Sequence, residues 1–141
     1  MIVVLDTNVV FEGRATGHPY RCILDSCVDG RIYWAVSTAI LTEYQEVIRR
    51  KEPHSAWMKM AMLIDLIGAT RGTMIHVNPQ FQFRIIGGDP DDNPFVDCAI
   101  AAHADYIITK DSDFATLKNA GYKPQPITPE DFIARYRGVY V

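Results

Sequence analysis

The sequence predicts an α/β fold, a three-layer α/β/α sandwich around a central parallel sheet of about four to five strands. Three observations carry this expectation. Short, continuous apolar runs recur at Met1–Leu5, Ile32–Val36, Met74–Val77 and Tyr106–Thr109. Runs of that length without alternation are strands buried on both faces. Segments of helical period separate them, the pattern of a parallel sheet covered by helices. Two of the runs also end in acids: Leu5 leads into Asp6-Thr7-Asn8, and Thr109 leads into Lys110-Asp111-Ser112-Asp113. In open parallel sheets the ligand site lies at the carboxyl ends of the strands, so an acidic pocket is expected there.

The elements follow in order. The first strand is succeeded by a loop over Gly13–Pro19. Tyr20–Val28 has helical spacing and closes at Asp29-Gly30. After the second strand, Ser37 or Thr38 caps a helix whose apolar face is Ile40, Leu41, Tyr44, Val47 and Ile48. Arg49, Arg50 and Lys51 fall in its last turn, where positive charge suits the helix dipole. A third helix runs from Ser55 to Ile67 and ends at Gly68. Its apolar residues, among them Trp57, Met58, Met60, Leu63 and Ile64, are read as core more than as a dimer face. Asn78–Pro90 has no period and reads as a loop. Asn93 is the expected N-cap and Pro94 the first turn of a helix apolar nearly all round, Phe95–Ala104. A helix near Phe114–Asn119, a short strand at Pro126–Thr128 and a terminal helix from Pro129 to Arg135 complete the chain.

Its 141 residues suit one domain, taken as 1–141, with one core. Hydrophobic residues make up 48% and charged residues 22%, ordinary values for a globular domain. No apolar run approaches the roughly 20 residues that cross a bilayer. The start lacks a basic region and meets Asp6 at once, unlike a signal peptide. Three cysteines (Cys22, Cys27, Cys98) without a close pair indicate free thiols and a cytoplasmic setting. The net charge of −3 provides no global field for nucleic acid, so any such contact must be local.

Four acids carry the functional reading: Asp6, Glu43, Asp97 and Asp111, with Asp92 and Asp113 beside them. Glu43 borders the apolar stripe of its helix. Asp97 interrupts an apolar helix, where an isolated charge is expensive. Taken singly, each has a structural reading as well. Asp6 and Asp111 serve as caps, Glu43 as a solvated helix acid, Asp113 as a first-turn acid and Asp92 as a turn residue. Together they are harder to dismiss, because like charges 4 Å apart cost about 4 kcal/mol per pair at an effective dielectric of 20. Such a pocket must be partly protonated or hold a cation. Oxygen-only donors suit Mg²⁺ or Mn²⁺, and the histidines lack zinc-ligand spacing.

The chain resembles the PIN-domain ribonucleases, in particular the small VapC-like members of toxin–antitoxin pairs. The resemblance rests on Val3–Asn8, on Leu41-Thr42-Glu43, on Asp92–Ala102 and on Ala104–Asp111, in that order. It implies a PIN-like sandwich and metal-dependent hydrolysis of RNA phosphodiesters. It carries over Asp6, Glu43, Asp97 and Asp111 as catalytic acids and metal ligands, Asp113 as a further ligand, and Asn8, Asp92 and Thr109 as supporting residues. Lys110, Arg49, Arg50 and Lys51 are candidate phosphate contacts. A small antitoxin protein and a homodimer are the implied protein partners; no membrane is involved. The stretch 78–88, with Phe81, Phe83 and Arg84, matches no motif and stays open between RNA contact, antitoxin contact and cover. A haloacid-dehalogenase-type enzyme would need an acid where Asn8 stands, and a response-regulator receiver would need paired acids where Asp6-Thr7 stands. A PIN-like module that binds RNA or a partner without cutting is the alternative.

Overall fold

The computed structural model describes residues 1–87 and 90–141. Its centre is a five-stranded, all-parallel sheet in the order β3-β2-β1-β4-β5. The strands are β1 (Ile2–Leu5), β2 (Tyr33–Val36), β3 (Met74–His76), β4 (Tyr106–Ile108) and β5 (Gln125–Ile127). The helices are α1 (Thr7–Gly13), α2 (Arg21–Val28), α3 (Thr38–Lys51), α4 (His54–Arg71), α5 (Asn93–Ala101) and α6 (Pro129–Tyr136). Short 3-10 turns at Pro90–Asp92 and Ser112–Leu117 join the later elements. The chain steps outward from β1 to β3, then returns to the other side of β1 for β4 and β5. With right-handed crossovers, that reversal puts the two sets of helices on opposite faces. The α/β/α sandwich with a parallel sheet is therefore the observed architecture.

The core lies along β1, β2 and β4, whose side chains at Val3, Val4, Leu5, Trp34, Ala35, Ile107 and Ile108 are fully buried. Ile40, Tyr44 and Ile48 put one stripe of α3 into it, at the spacing its sequence predicts. Tyr44 packs between Trp34 and Phe95, and its hydroxyl donates to the carbonyl of Leu5. This bond ties α3 to the end of β1. Ser37, not Thr38, caps α3 by accepting from the Ile40 N–H at 3.3 Å.

Several boundaries differ from expectation for identifiable reasons. Thr7–Gly13 is helical although it holds adjacent valines, because Asp6 caps it and Val9 and Val10 are buried. α4 continues past Gly68 and ends at Gly72, whose φ of 64° is the left-handed conformation that favours glycine at a helix end. α5 begins at Asn93, so the capping position belongs to Asp92. The expected helix near Phe114 is the tighter turn over Ser112–Leu117. α4 is divided: Met60, Ile64 and Ile67 are buried, whereas Met58, Met62 and Leu66 point outward. Among the described residues no helix is long and apolar enough to cross a membrane.

Removing the Tyr44 hydroxyl strands the buried Leu5 carbonyl. Tyr44→Phe is therefore expected to lose about 1–3 kcal/mol of stability. Denaturant unfolding checks this, and a midpoint equal to wild type would show that the bond is not needed to hold α3 on β1.

Candidate metal centre

The strand order reverses between β1 and β4, and in open parallel sheets the crevice forms at such a switch point. Leu5 pairs with Ile108 at this place, and the Asp6 N–H donates to the Ile108 carbonyl at 3.0 Å. The two acid-tipped strand ends thus lie side by side. Asp6 Oδ1 accepts the Thr7 N–H at 2.7 Å as the cap of α1. Asp6 Oδ2 accepts the Thr109 hydroxyl at 2.6 Å. The same hydroxyl oxygen accepts the Asp111 N–H at 2.9 Å, and Asp111 Oδ1 accepts the Asp113 N–H at 2.9 Å. A hydrogen-bonded chain therefore runs from Asp6 through Thr109 to Asp111 and Asp113. Asp6 is only 6% exposed. Burial pushes its carboxyl pKa upward, the bonds from Thr109 and Thr7 pull it down, and the charge of Asp111 pushes it up again. The net direction is upward.

Asp92 joins this group. One carboxylate oxygen from each of Asp92, Asp111 and Asp113 lies within 4.8 Å of the others. Oxygens ligating a single Mg²⁺ or Ca²⁺ sit about 2.0–2.6 Å from the ion, so spacings up to about 4–5 Å between them are what one cation spans. The donors are all hard oxygens, which suits Mg²⁺ or Mn²⁺ better than a soft metal. The residues therefore fit a divalent ion. Glu43 approaches from α3, where its Oε1 accepts the Thr7 hydroxyl at 3.0 Å. It also lines a cavity of about 320 Å³ with Glu46, Arg50, Asp91 and Pro94.

Asp97 lines a cavity that adjoins the one holding Glu43. It is buried, and its Oδ1 accepts the Phe83 N–H at 2.9 Å. Five residues at 1.5 Å rise put it roughly 7 Å further along α5 than Asp92. The structure thus gathers Asp92, Asp111 and Asp113, links Asp6 to them through Thr109, and brings Glu43 to Thr7. It joins Asp97 to the segment before α5. Asn8 is exposed on α1. The basic residues are dispersed. Lys110 pairs with Glu12 at 3.1 Å, Arg49 donates to His54 at 3.2 Å and Lys51 lies 4.9 Å over the Phe11 ring. Arg50 lines the Glu43 cavity. Asp92, given only a supporting place by the sequence, has a signal there in retrospect. It directly precedes the helix start, the end of α5 that meets the strand tips.

The raised Asp6 pKa has a stability consequence. An unfolded Asp titrates near its ordinary 3.8, and the folded one titrates higher. Between those values the folded state binds more protons, so its contribution to stability falls as pH rises through that window. Asp6→Asn removes this effect. Without metal, the variant is expected to melt above wild type, with the gap widening as pH rises above 3.8. Melting curves from pH 3 to 7 in chelator would show a pH-independent gap if the Asp6 charge were not the cause.

A model of the PIN-domain family matches residues 2–113, a span that includes Asp6, Glu43, Asp92, Asp97, Asp111 and Asp113. No curated protein and no solved structure matches the chain. PIN domains are generally metal-dependent nucleases that act on RNA. The match covers most of the chain and begins on β1 itself, and the chain belongs to the PIN-domain family.

Proposed function

We propose that the protein is a divalent-metal-dependent ribonuclease that hydrolyses RNA phosphodiester bonds, acting as the toxin of a toxin–antitoxin pair. The observation that carries this reading is the convergence of Asp92, Asp111 and Asp113 beside Asp6 at the switch point of the sheet. Asp92, Asp111 and Asp113 would hold Mg²⁺ or Mn²⁺, with Asp6 next to them. When bound, such an ion supplies charge neutralisation at a phosphodiester and activation of water. The protein's own contribution is positional. Thr109 fixes Asp6 and Asp111 relative to each other through one hydroxyl. Glu43, held by Thr7, orients the attacking water from the α3 side. Arg50, in the same cavity, binds a flanking phosphate and so sets register without reading sequence. Asp97, whose Oδ1 also accepts the Phe83 N–H, is the remaining acid of the proposed metal-binding and catalytic set. The outward Met58, Met62 and Leu66 face of α4 supports a protein partner, an antitoxin or a second copy.

In an assay of single-stranded RNA with Mn²⁺, wild type is expected to cleave and chelator to stop it. Asp92→Asn and Asp111→Asn are expected to lower kcat/KM about 100-fold or more, equivalent to ~3 kcal/mol of transition-state stabilisation. Asp97→Asn, which keeps an oxygen for Phe83, is expected to abolish cleavage while leaving the fold intact. Full activity of Asp111→Asn, or cleavage that persists in excess chelator, would refute the reading. Metal-independent RNA binding without cleavage would favour the non-catalytic module.

A further inference from the structure

The segment before α5 carries two exposed aromatic rings with no structural duty. Phe81 is 73% exposed and Phe83 48% exposed, so neither is cover for the core. Their centroids lie 6.5 Å apart at an interplanar angle of 57°, so neither ring closes off the face of the other. The backbone beneath them is nevertheless fixed. Phe83 N–H donates to Asp97 Oδ1 at 2.9 Å. The Asn93 amide clasps Ile86 twice, accepting its N–H and donating to its carbonyl, each at 2.9 Å. Ile86 itself is buried. Between these anchors Arg84 holds a φ of 51°, a conformation that costs a non-glycine residue roughly 1–2 kcal/mol. Strain of this kind persists where the surroundings over-determine it and often marks a working surface.

Both anchors belong to α5, whose start follows Asp92 directly. The rings are therefore held in a fixed relation to the acid cluster. Beside them lies a cavity of about 220 Å³ lined by Ser37, Thr38, Asn78, Gln82 and Asp97 together with Phe81. It shares Ala39 and Pro94 with the cavity that holds Glu43 and Arg50, so the two adjoin. Its lining is mostly apolar, with hydroxyl, amide and carboxylate groups set into it, and Asn78, Gln80, Gln82 and Arg84 around the rings are all exposed and polar. A protein partner would call for a broad apolar patch. An open aromatic face beside a small pocket that carries a few polar groups is what an unpaired nucleobase needs, with its π-face stacked and its edge hydrogen-bonded.

We propose that Phe81 and Phe83 form a stacking platform for an unpaired RNA base next to the cleavage site, and that the adjoining pocket at Gln82 and Asp97 reads the edge of that base. This rests on the ribonuclease reading for its substrate class, and its test is separable from that reading. The F81W variant places a fluorophore on the platform. In EDTA, where cleavage stops, its added emission is expected to be quenched by single-stranded RNA 12-mers and unaffected by a duplex of the same sequence. The F81A/F83A double variant, with a melting temperature like wild type, is expected to bind those 12-mers about 10- to 100-fold more weakly, the range for one lost stack. Gln82→Ala should change the preference among homopolymers. Unquenched F81W emission, or wild-type affinity and preference in F81A/F83A, would overturn the platform. Emission that responds to protein concentration alone would also overturn it, by burying the rings against a second copy. Quenching by RNA together with no Mn²⁺-dependent cleavage by wild type would uphold the platform and remove the nuclease reading.

Discussion

The structure is organised around two negatively charged strand ends forced into adjacency. Because β4 inserts next to β1 and not beyond β3, Asp6 and Thr109 become neighbours, and Asp111 follows within a turn. Mutual repulsion and burial both oppose this arrangement. The fold answers in two ways. It supplies donors to Asp6 from Thr7 and Thr109, and it lets the Asp6 proton affinity rise. Beside Asp6, oxygens of Asp92, Asp111 and Asp113 converge within 4.8 Å. The proposed divalent ion would relieve repulsion among these carboxylates, which links family membership to the local electrostatics.

Two helices position the remaining parts, and each does so through its first turns or its buried stripe. α3 is fastened to β1 by Tyr44 and the Leu5 carbonyl, and the adjacent residue Glu43 is thereby carried to Thr7. One side chain anchors and its neighbour works. α5 divides the same labour along its length. Asp92 precedes it and joins the acid cluster, while Asn93 and Asp97 reach back to hold residues 83–86. The acid cluster and the proposed base platform thus share one element, which would let a base be read in a fixed register with the scissile phosphate.

The sheet was legible because its signal is local: an uninterrupted apolar run is a buried strand wherever it occurs. The parallel order, the helix stripe of α3 and the acid tips at Asp6 and Asp111 all follow from such runs. What failed to show depends on distant partners. α1 has the composition of a strand, and only its cap and the burial of Val9 and Val10 make it a helix. Gly68 looks like a stop, yet packing of Ile64 and Ile67 carries α4 through it. The bond from the Phe83 N–H to Asp97 comes from 14 residues upstream and has no local signal in the sequence. Asp92 is one of three acids in Asp89-Pro90-Asp91-Asp92, and only the helix register distinguishes it; Asp89 and Gly88 lie outside the described residues.

Net charge constrains how such a protein meets a polyanion. At −3 overall, with an acidic centre, it gains little from long-range attraction. Some of its cations are held in ion pairs: Lys110 by Glu12, Arg14 by Glu52, Lys123 by Asp105 and Arg21 by Asp25. A binder that relied on counterion release would display unpaired lysine and arginine along a groove. Near α5 the chain offers two open rings, a small pocket and, in the adjoining cavity, Arg50. In the reading proposed above, recognition would lean on stacking and on a cation at the acid cluster. That balance favours short unpaired segments over duplex, because only an unpaired base exposes both a face to stack and an edge to read.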